Sequence, residues 1–231
     1  MPKLKLSVKA VLLDMDGVIT NTMPDHFSAW RKVFKDRGII VTHLDIYKRE
    51  GQPGIHSVKE ISSEHKKSFK PGEARKILEN KERIFKRIVK TRFIPGARHF
   101  IRMLHRRGFQ LALVTGTSRH EAHRILPARY FKLFDAVVTG SDVRHGKPHP
   151  EPYLKALKKL GIKPREAIVI ENAPFGIRSA NRARIRCLAL ETSLPRKFLK
   201  ESAAIFSSFR ELQYKVKLNV FNHQNSYETG T

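Results

Sequence analysis

The chain has 231 residues, 40% of them hydrophobic and 9% aromatic, enough for one large domain with a packed core and too apolar for wholesale disorder. A lone cysteine, Cys187, excludes an internal disulfide and every multi-cysteine zinc site, and no apolar run approaches the roughly 20 residues of a membrane span. Lys plus Arg number 46 against 21 Asp plus Glu, a net charge of +25; such a surface attracts polyanions, nonspecific nucleic acid included, without marking a sequence reader.

A first strand is expected over residues 8–13. It runs directly into Asp14 and Asp16, carboxylates a signal peptide would not carry, so the expected location is cytoplasmic. Residues 22–90 contain no strand pattern. Phe27, Trp30, Val33 and Phe34 recur at helical spacing, as do Ile77, Leu78, Ile84, Phe85 and Ile88. Gly51-Gln52-Pro53-Gly54 and Pro71-Gly72 read as turns between helices. The simplest account is a helical cap domain, 22–90, inserted into a core made of 1–21 and 91–213, with Ile94-Pro95-Gly96 marking the return.

Further apolar runs at 111–114, 136–138, 167–170 and 187–190 suit strands buried on both faces. They alternate with helical patterns at 97–107, 120–125, 152–160 and 175–183. That alternation predicts an α/β fold with a doubly wound, Rossmann-like parallel sheet. Cys187 opens the last run and reads as a small buried hydrophobe. Residues 214–231 read as a poorly ordered tail.

Ligands of such a sheet bind at the carboxyl ends of its strands. The first strand delivers Asp14-Met15-Asp16-Gly17-Val18, and the second Thr115-Gly116-Thr117-Ser118. Beyond the third comes Gly146-Lys147-Pro148, and the fourth ends in Glu171-Asn172. Carboxylates, a hydroxyl, a lysine and an acid-amide pair in one crevice suit phosphoryl transfer through a carboxylate nucleophile.

In these four segments, taken in order, the chain resembles the haloacid dehalogenase superfamily, and within it the phosphatases close to β-phosphoglucomutase. The resemblance implies that Asp14 attacks the phosphoryl group. Asp16 would protonate the leaving oxygen and then deprotonate the hydrolytic water. It assigns Thr115 and Gly116 to the phosphoryl oxygens, and Lys147, in a segment similar to the family's GKPxPDxYL, to holding Asp14 ionised. It further implies Mg²⁺, held by Asp14, the backbone carbonyl of Asp16 and the fourth segment. There Asn172 stands where an acid is usual, so Glu171 is expected to matter more. Arg184 stands where relatives carry a turn glycine.

The cap of this family closes over the site. His26, Glu50 and Gln52 are its candidate substrate-facing residues. A mutase grips a second phosphate through an arginine in a cap turn; here that turn reads Gly51-Gln52-Pro53-Gly54, with Lys48 and Arg49 out of register before it. The expectation is therefore a Mg²⁺-dependent phosphatase acting on a small phosphorylated substrate such as a sugar phosphate, as a monomer or homodimer. The alternatives are a β-phosphoglucomutase-like mutase and a basic polyanion-binding protein. The paired acids disfavour dehalogenation, since Asp16 serves an oxygen leaving group.

Overall fold

A computed structural model of the chain describes residues 4–221. Strands β1 (Leu4–Val8) and β2 (Ala10–Leu13) are followed by four helices, α1 (Met23–Lys35), α2 (His43–Tyr47), α3 (Gly54–Glu64) and α4 (Pro71–Ile88). Then come α5 (Ala97–Arg106), β3 (Gln110–Val114), α6 (Arg119–Ile125), α7 (Ala128–Phe131), β4 (Ala136–Val138) and α8 (Glu151–Leu160). The chain continues through β5 (Ala167–Glu171), α9 (Pro174–Arg182), β6 (Arg186–Leu190), β7 (Ala204–Phe206), α10 (Phe209–Lys215) and β8 (Val216–Val220).

Six strands form one all-parallel sheet in the order β4-β3-β2-β5-β6-β7. This is the expected doubly wound α/β architecture. Strand β2 lies near its centre and is buried throughout. Its Val11 and Leu13 pack into one layer with Phe100 and Phe209, while Ala10 and Leu12 pack into the other with Tyr153 and Ile177, as the period-2 alternation of a strand requires. Strand order reverses between β2 and β5, so the crevice opens at their carboxyl ends. Helices α1–α4 have a core of their own, built from Trp30, Phe34, Val58, Ile61 and Ile77. No helix among the described residues is long and apolar enough to cross a membrane.

Three local expectations are corrected. The run 8–13 is not one strand, because the chain changes neighbours at Lys9. The Lys9 amide donates to Glu166 O at 2.7 Å and its carbonyl accepts from Gln110 N at 3.0 Å, while Leu4–Val8 joins a separate parallel pair with β8. The stretch 214–231 is not wholly a tail, because 216–220 form β8 with Val216 and Leu218 buried and Lys217 exposed. That alternation is masked by the polar residues around it; 222–231 lie outside the described residues. Pro71-Gly72 is not a turn but the start of α4, with Pro71 in its first turn, where its fixed φ suits the helix and its missing N–H costs nothing. Arg184 has φ +59°, the left-handed conformation that explains why a glycine would be at ease there.

Candidate active site

The four segments converge. Asp14, Asp16, Thr115, Lys147, Glu171 and Asn172 are all buried at the carboxyl ends of the central strands. Asp14 leaves β2 with its amide still bonded to Ile170 O at 3.1 Å, which fixes its backbone beside the end of β5. The Lys147 ammonium donates to Asp14 Oδ1 at 2.5 Å, to Glu171 Oε1 at 2.6 Å and to Val114 O at 3.2 Å. Burial works against that ammonium, but Asp14 and Glu171 outweigh it and hold its pKa above the ordinary lysine value.

Glu171 has both oxygens engaged. Oε1 also accepts from Tyr153 Oη at 2.7 Å, and Oε2 accepts from the Asn172 amide at 3.0 Å. The close fit extends to Gly176, where an added Cβ would fall 1.8 Å from Glu171 Oε1. Glu171 is therefore placed to orient Lys147.

Asp16 accepts from Thr117 Oγ1 at 2.8 Å and from Thr115 Oγ1 at 3.4 Å, and from the Thr22 hydroxyl on its other oxygen. His26 Nε2 lies 3.8 Å from Asp16 Oδ1. Burial alone would raise Asp16, but His26, Thr22 and Thr117 outweigh it and hold the carboxyl below its usual value. His26 is stacked on Phe85 at 4.0 Å, and its Nδ1 faces Lys81 Nζ at 3.1 Å. Burial and then the Lys81 charge lower the imidazole pKa against the pull of Asp16.

Glu50 lines the cavity and is also tied to the end of β5. Asn172 Nδ2 donates to Glu50 Oε2 at 3.0 Å and to Ser193 Oγ at 2.9 Å. Gly17, at φ +86°, lets this amide approach, since a Cβ there would sit 2.1 Å from Asn172 Nδ2. Burial, followed by the charges of Asp14, Asp16 and Glu171, pushes the Glu50 carboxyl well above its ordinary value. Asp14 is raised likewise, by burial first and by Glu171 and Asp16, against the pull of Lys147.

Three buried oxygens in this cluster have no hydrogen-bond partner: Asp14 Oδ2, Glu50 Oε1 and Asn172 Oδ1. Unpaired acceptors at such depth are costly. Two carboxyl oxygens and one amide oxygen form a donor set suited to a hard divalent cation, so the residues present fit Mg²⁺.

The turn before α3 roofs the crevice. Gly51 packs so closely on Gly116 that a Cβ at Gly116 would lie 3.3 Å from Gly51 O. A cavity of about 390 Å³ remains beneath, lined by Asp14, His26, Trp30, Gln52, Lys81 and Thr115 among others. Gln52 Nε2 lies 3.3 Å from Ser57 Oγ. Arg49 borders the same cavity with its guanidinium bonded to Glu60 at 3.1 Å, to Asp45 O at 2.7 Å and to Glu64.

Thr22, Thr117, Lys81, Tyr153 and Ser193 all touch side chains of the site and carried no role in the sequence reading. Thr117 lay inside a quoted segment but carried no role. Lys81 had a signal: it falls among Ile77, Ile84 and Phe85 on the apolar face of α4, where a lysine is anomalous.

The haloacid dehalogenase-like hydrolase family profile matches residues 11–190. The chain is 33% identical over 185 residues to a phosphorylated carbohydrates phosphatase of Thermotoga maritima, covering 77% of this chain and 82% of that one. It is 27% identical over 174 residues to a fructose-1-phosphate phosphatase of Escherichia coli, covering 75% and 91% of the two chains. A solved structure from Bacteroides vulgatus, provisionally assigned as a beta-phosphoglucomutase, is 33% identical and superposes with a TM-score of 0.78 over 92% of each chain.

Proposed function

The chain belongs to the haloacid dehalogenase-like hydrolases, and we propose that it is a Mg²⁺-dependent phosphatase that hydrolyses a small phosphate monoester, a sugar phosphate foremost, through a phosphoryl group carried on Asp14. The observation that carries this reading is the Asp14–Lys147 pair at 2.5 Å beside three unpaired buried oxygens.

Asp14 Oδ2, Asn172 Oδ1 and Glu50 Oε1 would hold the cation. Bound there, Mg²⁺ supplies positive charge to a phosphoryl group approaching a carboxylate. Asp14 attacks phosphorus and the ester P–O bond breaks, with the departing oxygen taking a proton from Asp16. Asp16 is held as a carboxylate before substrate arrives; the negative charge of the bound phosphate raises its proton affinity, so that it takes up a proton from solvent, the proton it then gives to the leaving oxygen. In the second half, Asp16 removes a proton from water, the water oxygen attacks phosphorus, and Asp14 is released with inorganic phosphate. Lys147 offsets charge on Asp14 throughout and is oriented by Glu171 and Tyr153. Thr115, with Gly116 behind it, flanks the phosphoryl oxygens.

Residues 22–90 act as the cap in this reading. His26 and Lys81 hold Asp16 from the cap side, and Gln52 faces the substrate. Glu50 is reassigned from substrate to the cation, supplying the charge that Asn172 lacks. The engagement of Arg49 with Glu60 and Glu64 favours hydrolysis over a mutase that must grip a second phosphate.

The test is phosphate release from a panel of sugar and other small organic phosphates, with and without Mg²⁺, beside Asp14→Asn. Release that requires both Mg²⁺ and Asp14 is expected. Release that survives Asp14→Asn would overturn the assignment.

A further inference from the structure

The loop that carries Lys147 holds a second cluster, on its outer side. His145, His149 and Glu151 bring one ligand atom each within 4.8 Å of one another. His145 Nδ1 lies 3.1 Å from Glu151 Oε2, and His149 Nδ1 accepts from the Glu151 amide at 3.2 Å. The two imidazole rings face each other with centroids 4.7 Å apart.

We propose that His145, His149 and Glu151 form a site for a divalent transition-metal ion of the zinc or nickel type, separate from the Mg²⁺ crevice. Two imidazole nitrogens and one carboxylate oxygen select borderline metals and disfavour magnesium, which takes oxygen ligands. Three protein ligands leave one tetrahedral position to water. Ligand atoms around zinc stand about 3.3 Å apart for bonds of about 2 Å. The His145–Glu151 pair already stands near that spacing, both rings are exposed, and seating an ion exchanges the His145–Glu151 hydrogen bond for bonds to the metal.

Glu151 is held in place for this role. Its carboxylate accepts from the backbone amides of Arg144 at 2.8 Å and His145 at 2.9 Å. The loop is anchored from beneath, where His149 O accepts from Ser179 Oγ at 2.6 Å and Pro148 O from Arg182 at 3.0 Å. A metal joining His145 to His149 would cross-link the loop over Lys147, whose ammonium reaches in the opposite direction to Asp14. Occupancy therefore has a route to the catalytic lysine, and the effect expected is inhibition.

The test is calorimetric titration of Zn²⁺ and Ni²⁺ into the full chain in excess Mg²⁺, beside His145→Ala, His149→Ala and the double variant. One ion per chain is expected with micromolar affinity, weakened at least tenfold by either substitution and abolished by both. Turnover in buffer that contains Mg²⁺ but no transition metal should be the same for all four proteins, and only the wild type should be inhibited by Zn²⁺. The proposal is overturned if the wild type binds no such ion, or if the double variant binds it as tightly.

Discussion

Asn172→Asp tests the cation cluster most directly. The substitution removes two hydrogen bonds from Asn172 Nδ2, worth about 1 kcal/mol each, and sets a carboxylate oxygen where the amide now lies 3.0 Å from Glu50 Oε2. Two unit charges at that separation repel by roughly 5 kcal/mol at an effective dielectric of about 20. Glu50, already pushed toward the protonated form by burial and by Asp14, relieves part of this by taking up a proton. A net loss of about 3 kcal/mol without metal is expected, which lowers the melting temperature by roughly 6–12 °C for a chain of this size. Mg²⁺ should reverse the effect, since the variant offers it a third charged ligand. The Mg²⁺ concentration for half-maximal phosphate release should fall at least tenfold, or about 1.4 kcal/mol. Thermal melts with and without Mg²⁺, together with a Mg²⁺ titration of turnover, read both effects. Adding Glu50→Gln to the variant should restore the metal-free melt. An unchanged metal-free melt together with an unchanged Mg²⁺ requirement would refute the arrangement of Asn172, Glu50 and the cation.

Three further outcomes follow from particular residues. Asp14 and Glu50 are both held above their ordinary values, so the metal-free folded chain gains stability as pH falls, and loses it as pH rises through the raised values. Mg²⁺ replaces those protons, so it should raise the melting temperature more at about pH 7.5 than at about pH 5; a shift that is equal or larger in acid would count against these two carboxyls as ligands. Arg184→Gly relieves a φ of +59° and should stabilise by about 1 kcal/mol, read as a melting temperature roughly 2–4 °C higher; a lower value would show that arginine is anchored there. Arg49→Ala leaves Glu60 and Glu64 without their buried partner and should cost about 1–3 kcal/mol in thermal melts with the KM for a sugar monophosphate unchanged. A raised KM with an unchanged melt would return Arg49 to the substrate.

The chemistry was legible because Asp14, Asp16, Thr115 and the Glu171-Asn172 pair sit at or just past apolar runs whose ends share one crevice in a doubly wound sheet, while Lys147, nine residues beyond β4, was legible through the resemblance of its segment. Asp14, Asp16, Thr115, Lys147 and the Glu171-Asn172 pair could be placed together without knowing a single contact. What could not be read was contact between the inserted helices and the core. Nothing local says that Glu50 meets Asn172, 122 positions away, or that Arg49 is consumed by Glu60 and Glu64 on α3. The first depends on how two separately packed cores dock, the second on how the inserted helices pack on one another. The strand boundary failed at Lys9 because an apolar run interrupted by that single lysine passes from one sheet to another. Strand β8 failed because its Val216-Lys217-Leu218 alternation is only three residues deep among polar neighbours.

The pairing of β1 with β8 also bears on how the protein is made. Leu6 and Val8 are buried in the finished molecule, yet the strand that completes their sheet is synthesised after every other element described. Through most of translation this edge stands open, with its backbone donors and acceptors unpaired and its apolar side chains uncovered, an invitation to wrong partners. Only Lys9 separates that edge from the strand that presents Asp14. The catalytic strand thus spends its early life beside an unfinished seam, and chaperone dependence during synthesis would be felt there first.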